Sequence, residues 1–172
     1  MPFNTTVSVV VRIVLWLLLL IGGAAAGVIL DRHSPLFGSP LFHLMSALSG
    51  LVLLYFSFRA AGNGGRELSK GRVGDIPRLE TNRLVTSGIY GCMRHPMLFG
   101  LTLLPMGWAL LIGSPSYIMI IAPLEMLFIL LMVLIFEERE AEQKFGEEYR
   151  NYRKQVPMVS FRRECLKKLF TR

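Results

Sequence analysis

The sequence predicts an all-α, polytopic membrane protein with about four transmembrane helices, a C-terminal helical hairpin and a cytoplasmic amphipathic helix. Three observations carry this. The 172 residues are 52% hydrophobic and only 18% charged, with a mean hydropathy of +0.48, whereas soluble domains carry roughly 25% charged residues. The apolar residues are gathered into long runs separated by turn formers. The charge is segregated as well: of 19 Lys and Arg, seven lie between Arg59 and Arg94 and ten between Arg139 and Arg172.

Each element follows from its own run. Ile13 to Leu30 is an uncharged stretch of 18 residues, enough to span a bilayer with help from its flanks. It reads as a retained helix rather than a cleaved secretory signal, because apolar sequence continues past Ala24, Ala25 and Ala26 into Val28, Ile29 and Leu30. Asp31 to Pro40 is dense in turn formers and reads as a short loop. Leu41 to Phe58 is the second span, with Ser46, Ser49 and Gly50 as a small-residue packing face. Pro96 to Phe136 holds one charged residue, Glu125, in 41 residues, about two crossings, divided at Gly113-Ser114-Pro115-Ser116. The predicted helices are roughly 8–30, 41–60, 96–112 and 116–137.

Glu125 has two readings open. An acid inside a span is a functional candidate by default, with Pro123 able to kink the helix beside it; the other reading is a neutral, hydrogen-bonded side chain.

The polar segments complete the organisation. Gly62, Gly64 and Gly65 read as a linker opening the central connection. Its second half, Thr81 to Tyr90, mixes extended-favouring residues with a turn just before the third helix, and the whole connection is longer than ordinary loops, which favours a functional role. In the tail 137–156, Phe145, Tyr149, Tyr152 and Val156 recur at spacings of four, three and four, the pattern of an amphipathic helix lying on a membrane or covering a site. Because 17 of the 19 basic residues fall in the 59–95 connection and the tail, the positive-inside rule places both, and both termini, at the cytoplasmic face. The chain reads as one integrated domain, a two-helix membrane region over 1–61 and a site-bearing region over 62–172.

Several classes are excluded. A formal net charge of +7 invites nucleic acid, but no recognisable module accompanies it and membrane flanks explain its position. Cys92 and Cys165 form neither a disulfide framework nor a metal quartet. His33, His43 and His95 lack ligand spacing, so no structural metal is expected.

Chemistry concentrates where the hairpin brings its two far ends together: Arg94-His95-Pro96 at the start of the third helix, and Glu137-Glu138 at the end of the fourth. Pro96 suits a first helical turn. The free amides there, with the helix dipole and Arg94, favour a carboxylate or phosphate. An acid pair at a helix C-terminus opposes the dipole by a few tenths to about 1 kcal/mol, which points to an external cation such as an ammonium or sulfonium. The two ends together suit a zwitterion carrying additional positive charge.

Leu84-Val85-Thr86-Ser87-Gly88-Ile89-Tyr90, then Arg94-His95-Pro96 and Gly100, Glu137-Glu138, Phe145-Gly146-Glu147-Glu148-Tyr149-Arg150-Asn151-Tyr152 and Val156-Pro157 resemble the isoprenylcysteine carboxyl methyltransferase family. The same signature runs through the wider superfamily that includes phospholipid N-methyltransferases. The resemblance covers roughly residues 80–158, about half the chain. It implies an S-adenosyl-L-methionine-dependent methyltransferase with the cofactor at the cytoplasmic edge, contacted by Asn82, Arg83, Leu84, Val85, Tyr90, His95, Pro96, Met97 and Leu98. Glu137 and Glu138 would be the cofactor-binding acids, with Glu137 on the methionyl ammonium and Arg94 a catalytic or substrate-orienting residue. Leu98 stands where the family often has Tyr. Val133 stands where carboxyl-methylating members carry Arg, which argues against prenylcysteine as the acceptor. The acceptor expected is a lipid or hydrophobic small molecule. An NADPH-dependent membrane reductase of related architecture and a non-enzymatic membrane scaffold are the alternatives.

Overall fold

Without water to satisfy backbone amides and carbonyls, long apolar runs close their hydrogen bonds within the segment, as helix. The structure is a computed structural model describing residues 5–74 and 81–171, with side chains described from Val14 onward. Among the described residues every regular element is helical: α1 (Thr5–Leu30), α2 (Pro40–Ser69), α3 (Pro96–Thr102), α4 (Leu104–Ile112), α5 (Ala122–Met132), α6 (Glu138–Gln155) and α7 (Arg163–Phe170). A 3₁₀ turn, Asp31–His33, follows α1, and π-helical segments Tyr117–Ile121 and Val133–Glu137 flank α5. Three helices, Val14–His33, Pro40–Ser69 and Tyr117–Gln155, are long and apolar enough to cross a membrane. The chain is thus a multi-pass membrane protein. Pro96–Ile112 is apolar but shorter, and it is interrupted at Leu103 because Pro105 has no amide to donate to Leu101; the Leu103 amide bonds Gly100 at 3.1 Å instead.

Three expectations are overturned. Gly62, Gly64 and Gly65 are not a linker but part of α2, which continues to Ser69. The fourth helix does not stop at the acid pair: helix passes from α5 through Val133–Glu137 into α6, so Glu137 and Glu138 face no exposed helix C-terminus and the expected dipole cost does not arise. Cys92 and Cys165, 73 residues apart, are paired as a disulfide with their Cα atoms 5.6 Å apart. The stretch 75–80 of the central connection lies outside the described residues.

The chain forms two compact units. The first, residues up to Leu53 with Pro105–Leu127, holds a buried polar joint. The carboxylate of Asp31, 2% exposed, accepts hydrogen bonds from the Ser114 hydroxyl, from the Ser116 amide at 3.0 Å and from the Ser116 hydroxyl at 2.5 Å, satisfying amides at the start of a helical turn as a cap does. Glu125 is buried and accepts from the Tyr117 hydroxyl at 3.2 Å, which answers the desolvation of both groups within that unit.

The second unit, Leu54–Leu104 with Phe128–Arg172, is built on close backbone approach. Ser57 donates to the Gly100 carbonyl at 2.6 Å, and a methyl at Gly100 would stand 2.5 Å from the Ala61 amide nitrogen. Small residues on facing helices permit this spacing, and Gly64 continues it: a methyl there would stand 2.5 Å from the Met97 amide nitrogen. Ala60, Val85, Ile89, Tyr90, Met93, Cys165 and Leu169 form the core of this unit. The end of α7 is tied to α2 through Asn63, whose amide donates to the Leu169 carbonyl at 2.5 Å, and Arg59, which donates to that of Phe170 at 3.2 Å.

Gly100→Ala therefore overpacks a backbone contact and should lower stability by about 1–3 kcal/mol. Gly62→Ala, with nothing within 4 Å of the added methyl, should be neutral or raise it by about 0.5–1 kcal/mol. Thermal unfolding of the two detergent-solubilised variants beside the wild type checks the contrast.

Candidate functional site

The site lies within the second unit and grows from the segment preceding α3. Arg94 and His95 precede the helix in non-helical conformations, and their amides donate to the carbonyls of Pro157 at 3.0 Å and Met158 at 3.4 Å. Pro96 then opens α3 at its first turn, where a missing amide removes no intrahelical bond. The strap that follows α6 is thereby stitched to the residues that begin α3.

One buried carboxylate gathers the side chains. Glu138, 6% exposed, accepts from Arg94 Nε at 3.0 Å and Nη2 at 3.2 Å, one bond to each oxygen. Its Oε1 also lies 2.6 Å from His95 Nε2 and accepts from the Tyr149 hydroxyl at 2.9 Å. The remaining Arg94 nitrogen donates to the carbonyls of Val156 at 2.6 Å and Arg153 at 3.2 Å. Two-point pairing of a guanidinium with a carboxylate fixes orientation as well as charge. Buried together, these groups answer one another's lost hydration.

Tyr149 reaches Glu138 only because the helix between them bends. Eleven residues of straight helix rise about 16 Å, well beyond the reach of a phenol, yet the two side chains are hydrogen-bonded. The bend is at Gly146, with φ 55° and ψ −126°, a conformation open to glycine and strained for other residues.

The acids of the pair are differentiated by this arrangement. Glu138 is spent on Arg94, His95 and Tyr149, while the Glu137 side chain keeps 31% of its exposure and stands 3.9 Å from His95 Nδ1. His95 is thus flanked by both carboxylates. Tyr90 joins through Tyr152, whose hydroxyl donates to the Tyr90 carbonyl at 2.6 Å. Burial pushes the Tyr90 phenol well above its usual range, with Tyr152 and the carboxylates of Glu137 and Glu67 adding to the effect.

The other predicted residues are distributed around this centre. Pro96 is buried at the start of α3, the Met97 backbone lies against Gly64 of α2, and Leu98 is half-buried with its carbonyl bonded by Thr102. Val85 belongs to the core of the unit and Leu84 is half-buried. Asn82 and Arg83 are exposed and engaged elsewhere. Asn82 clips the Val73 backbone with bonds of 2.8 and 2.6 Å, and the Arg83 amide donates to Gly71 at 3.1 Å. Tyr149 and Tyr152 stand in the sequence as members of an apolar stripe and of the motif block from Phe145 to Tyr152, and their role as hydrogen-bond donors was missed. The usable signal was Gly146 standing three residues before Tyr149. Among the described residues no group of three His, Cys, Asp or Glu could hold a metal ion.

Comparison with known proteins places this geometry in context. The profile of the phospholipid methyltransferase family matches residues 41–148, which include α3, the acid pair and the bend. A protein-S-isoprenylcysteine O-methyltransferase B of Arabidopsis thaliana is 29% identical over 116 residues, covering 67% of this chain and 56% of the relative. This chain therefore spans little more than half the length of that relative. No solved structure matches.

Removing the hub should cost more than removing its neighbour. Glu138→Ala leaves Arg94 buried without its partner and should destabilise by about 3–5 kcal/mol. Glu137→Gln, at a more exposed carboxylate, should stay within about 1 kcal/mol of wild type. Gly146→Ala, with open space around the added methyl, should still cost about 1–3 kcal/mol through the backbone alone. Denaturant unfolding in detergent measures all three.

Proposed function

Because this chain belongs to the phospholipid methyltransferase family, we propose that it is an S-adenosyl-L-methionine-dependent membrane methyltransferase, acting at the cytoplasmic interface on a lipid or hydrophobic small molecule. The observation that carries the reading is His95 held between two carboxylates, with Glu138 buried in a closed network and Glu137 left more open. We read the first acid as organising the protein and the second as serving a ligand.

The donor set suits the cofactor. The Glu137 carboxylate would take the methionyl ammonium, a charge-assisted bond stronger than a neutral one. The segment 95–98 and Tyr90 would supply further contacts, with Val85 in the same buried core as Tyr90 and Leu84, Asn82 and Arg83 preceding them in the same loop. When bound, the cofactor supplies a methyl group carried on a positively charged sulfur. The chain's own contribution is alignment and exclusion of water, which account for much of the acceleration available to such a displacement. His95 is fixed by Glu138 and cannot rotate away from Glu137. Arg94, expected as catalytic or substrate-orienting, donates to both oxygens of Glu138 and to the carbonyls of Arg153 and Val156, and we assign it to positioning: it locks Glu138, and through Glu138, His95.

The reading of the acceptor is supported by what the spanning segments lack. Val133 is 3% exposed, and no Lys or Arg occurs between Pro96 and Phe136. A carboxylate acceptor presented from the apolar side would find no cation there, whereas a neutral amine or hydroxyl on a lipid would need none.

Titration calorimetry with S-adenosylhomocysteine tests the reading. Wild type should bind, and Glu137→Gln should bind about tenfold more weakly, as expected for one lost charge-assisted bond. Absence of binding to wild type overturns the proposal, and binding of NADPH in its place would support the reductase alternative.

A further inference from the structure

The helical continuation of α2 past its glycines delivers a residue that the motif blocks do not contain. Glu67 lies in the last turn of α2 and rests against the turn that leads to Tyr90. A methyl at Gly88 would stand 2.8 Å from the Glu67 carboxyl carbon, and the Tyr90 amide closes that turn on Ser87 at 3.0 Å. The two oxygens of Glu67 differ. Oε1 accepts from Lys70 at 2.7 Å, whereas Oε2 is buried and, among the described residues, has no hydrogen-bond partner.

A buried carboxylate oxygen forfeits its hydration and requires a donor in return. Lys70 already offsets the charge at Oε1, so the chemistry left for Oε2 is that of a neutral donor rather than a second cation. The turn that Glu67 rests against ends on Tyr90, whose carbonyl is bonded by Tyr152, so the carboxylate borders the segment that enters the site described above. S-adenosylmethionine carries, beyond its charged methionyl end, a ribose with two adjacent hydroxyls. Carboxylates are well suited to accept from that pair.

We infer that Glu67 is a further binding residue of the same site, accepting from the ribose hydroxyls of the cofactor; this rests on the S-adenosylmethionine reading above. Lys70 and Gly88 are then positioning residues, Lys70 by orienting the carboxylate and Gly88 by leaving it room.

The test is a calorimetric comparison of S-adenosylhomocysteine with its analogue lacking both ribose hydroxyls, on the full-length chain. Wild type should bind the analogue at least about tenfold more weakly than the parent. Glu67→Gln should bind the parent about tenfold more weakly than wild type does, and should discriminate less between the two ligands. Glu67→Asp, which keeps the charge but withdraws it, should lose the same discrimination and guards against a folding defect in the first variant. Undiminished discrimination in both variants, or wild type indifferent to the hydroxyls, overturns the assignment while leaving the function standing. Wild type that binds neither ligand overturns the function and this inference with it.

Discussion

The buried carboxylate of Glu138 is the constraint on which the second unit depends. Arg94, His95 and Tyr149 converge on it from segments 44, 43 and 11 residues away in sequence. Once a charge is buried among donors, removing any one of them leaves the rest uncompensated, so the arrangement behaves as a set. Its consequence for function is rigidity at His95, the residue that links the network to Glu137. The first unit, by contrast, organises its buried acids around hydroxyls: Asp31 on Ser114 and Ser116, Glu125 on Tyr117. Serine and tyrosine satisfy a carboxylate without bringing a second charge into an apolar surrounding, where charge is costly.

Glycine performs two unrelated tasks in the site-bearing unit. At Gly100 it removes bulk, letting the start of α3 lie against the α2 backbone. At Gly146 there is ample room for a side chain, and the need is for a backbone angle. The first sets where His95 stands, because α3 begins one residue after it. The second turns the tail back so that Tyr149 reaches Glu138, and Val156, Pro157 and Met158 reach the Arg94–His95 segment. The family profile, which covers residues 41–148, includes both glycines but stops short of the tyrosine that the second one delivers.

The continuation of helix across Phe136, Glu137 and Glu138 changes the physical account of the acid pair. An acid at a helix C-terminus would oppose exposed carbonyls and call for a compensating cation. Inside a continuous helix those carbonyls are bonded, and adjacent residues point about 100° apart around the axis. Glu138 is thereby directed into the protein while its neighbour keeps more exposure. Two identical side chains, one position apart, acquire different surroundings from helical geometry.

Apolar runs, their lengths and the segregation of basic residues were sufficient to establish an all-helical, multi-pass membrane chain, because burial in lipid leaves the backbone no other way to satisfy itself. The ordered blocks around Arg94-His95-Pro96 and Glu137-Glu138 identified the residues that meet, since both sit where apolar spans give way to polar sequence. What the sequence did not disclose depended on contacts between distant segments. Gly62, Gly64 and Gly65 are helical against their local propensity, and at Gly64 the backbone of Met97 in α3 lies so close that a side chain has no room. The pairing of Cys92 with Cys165, the reach of Tyr149 across the Gly146 bend, and the separate fates of Glu137 and Glu138 were likewise settled in three dimensions. Hydropathy is a sum over neighbours along the chain, whereas a hydrogen-bonded carboxylate is satisfied by groups that only folding brings within reach.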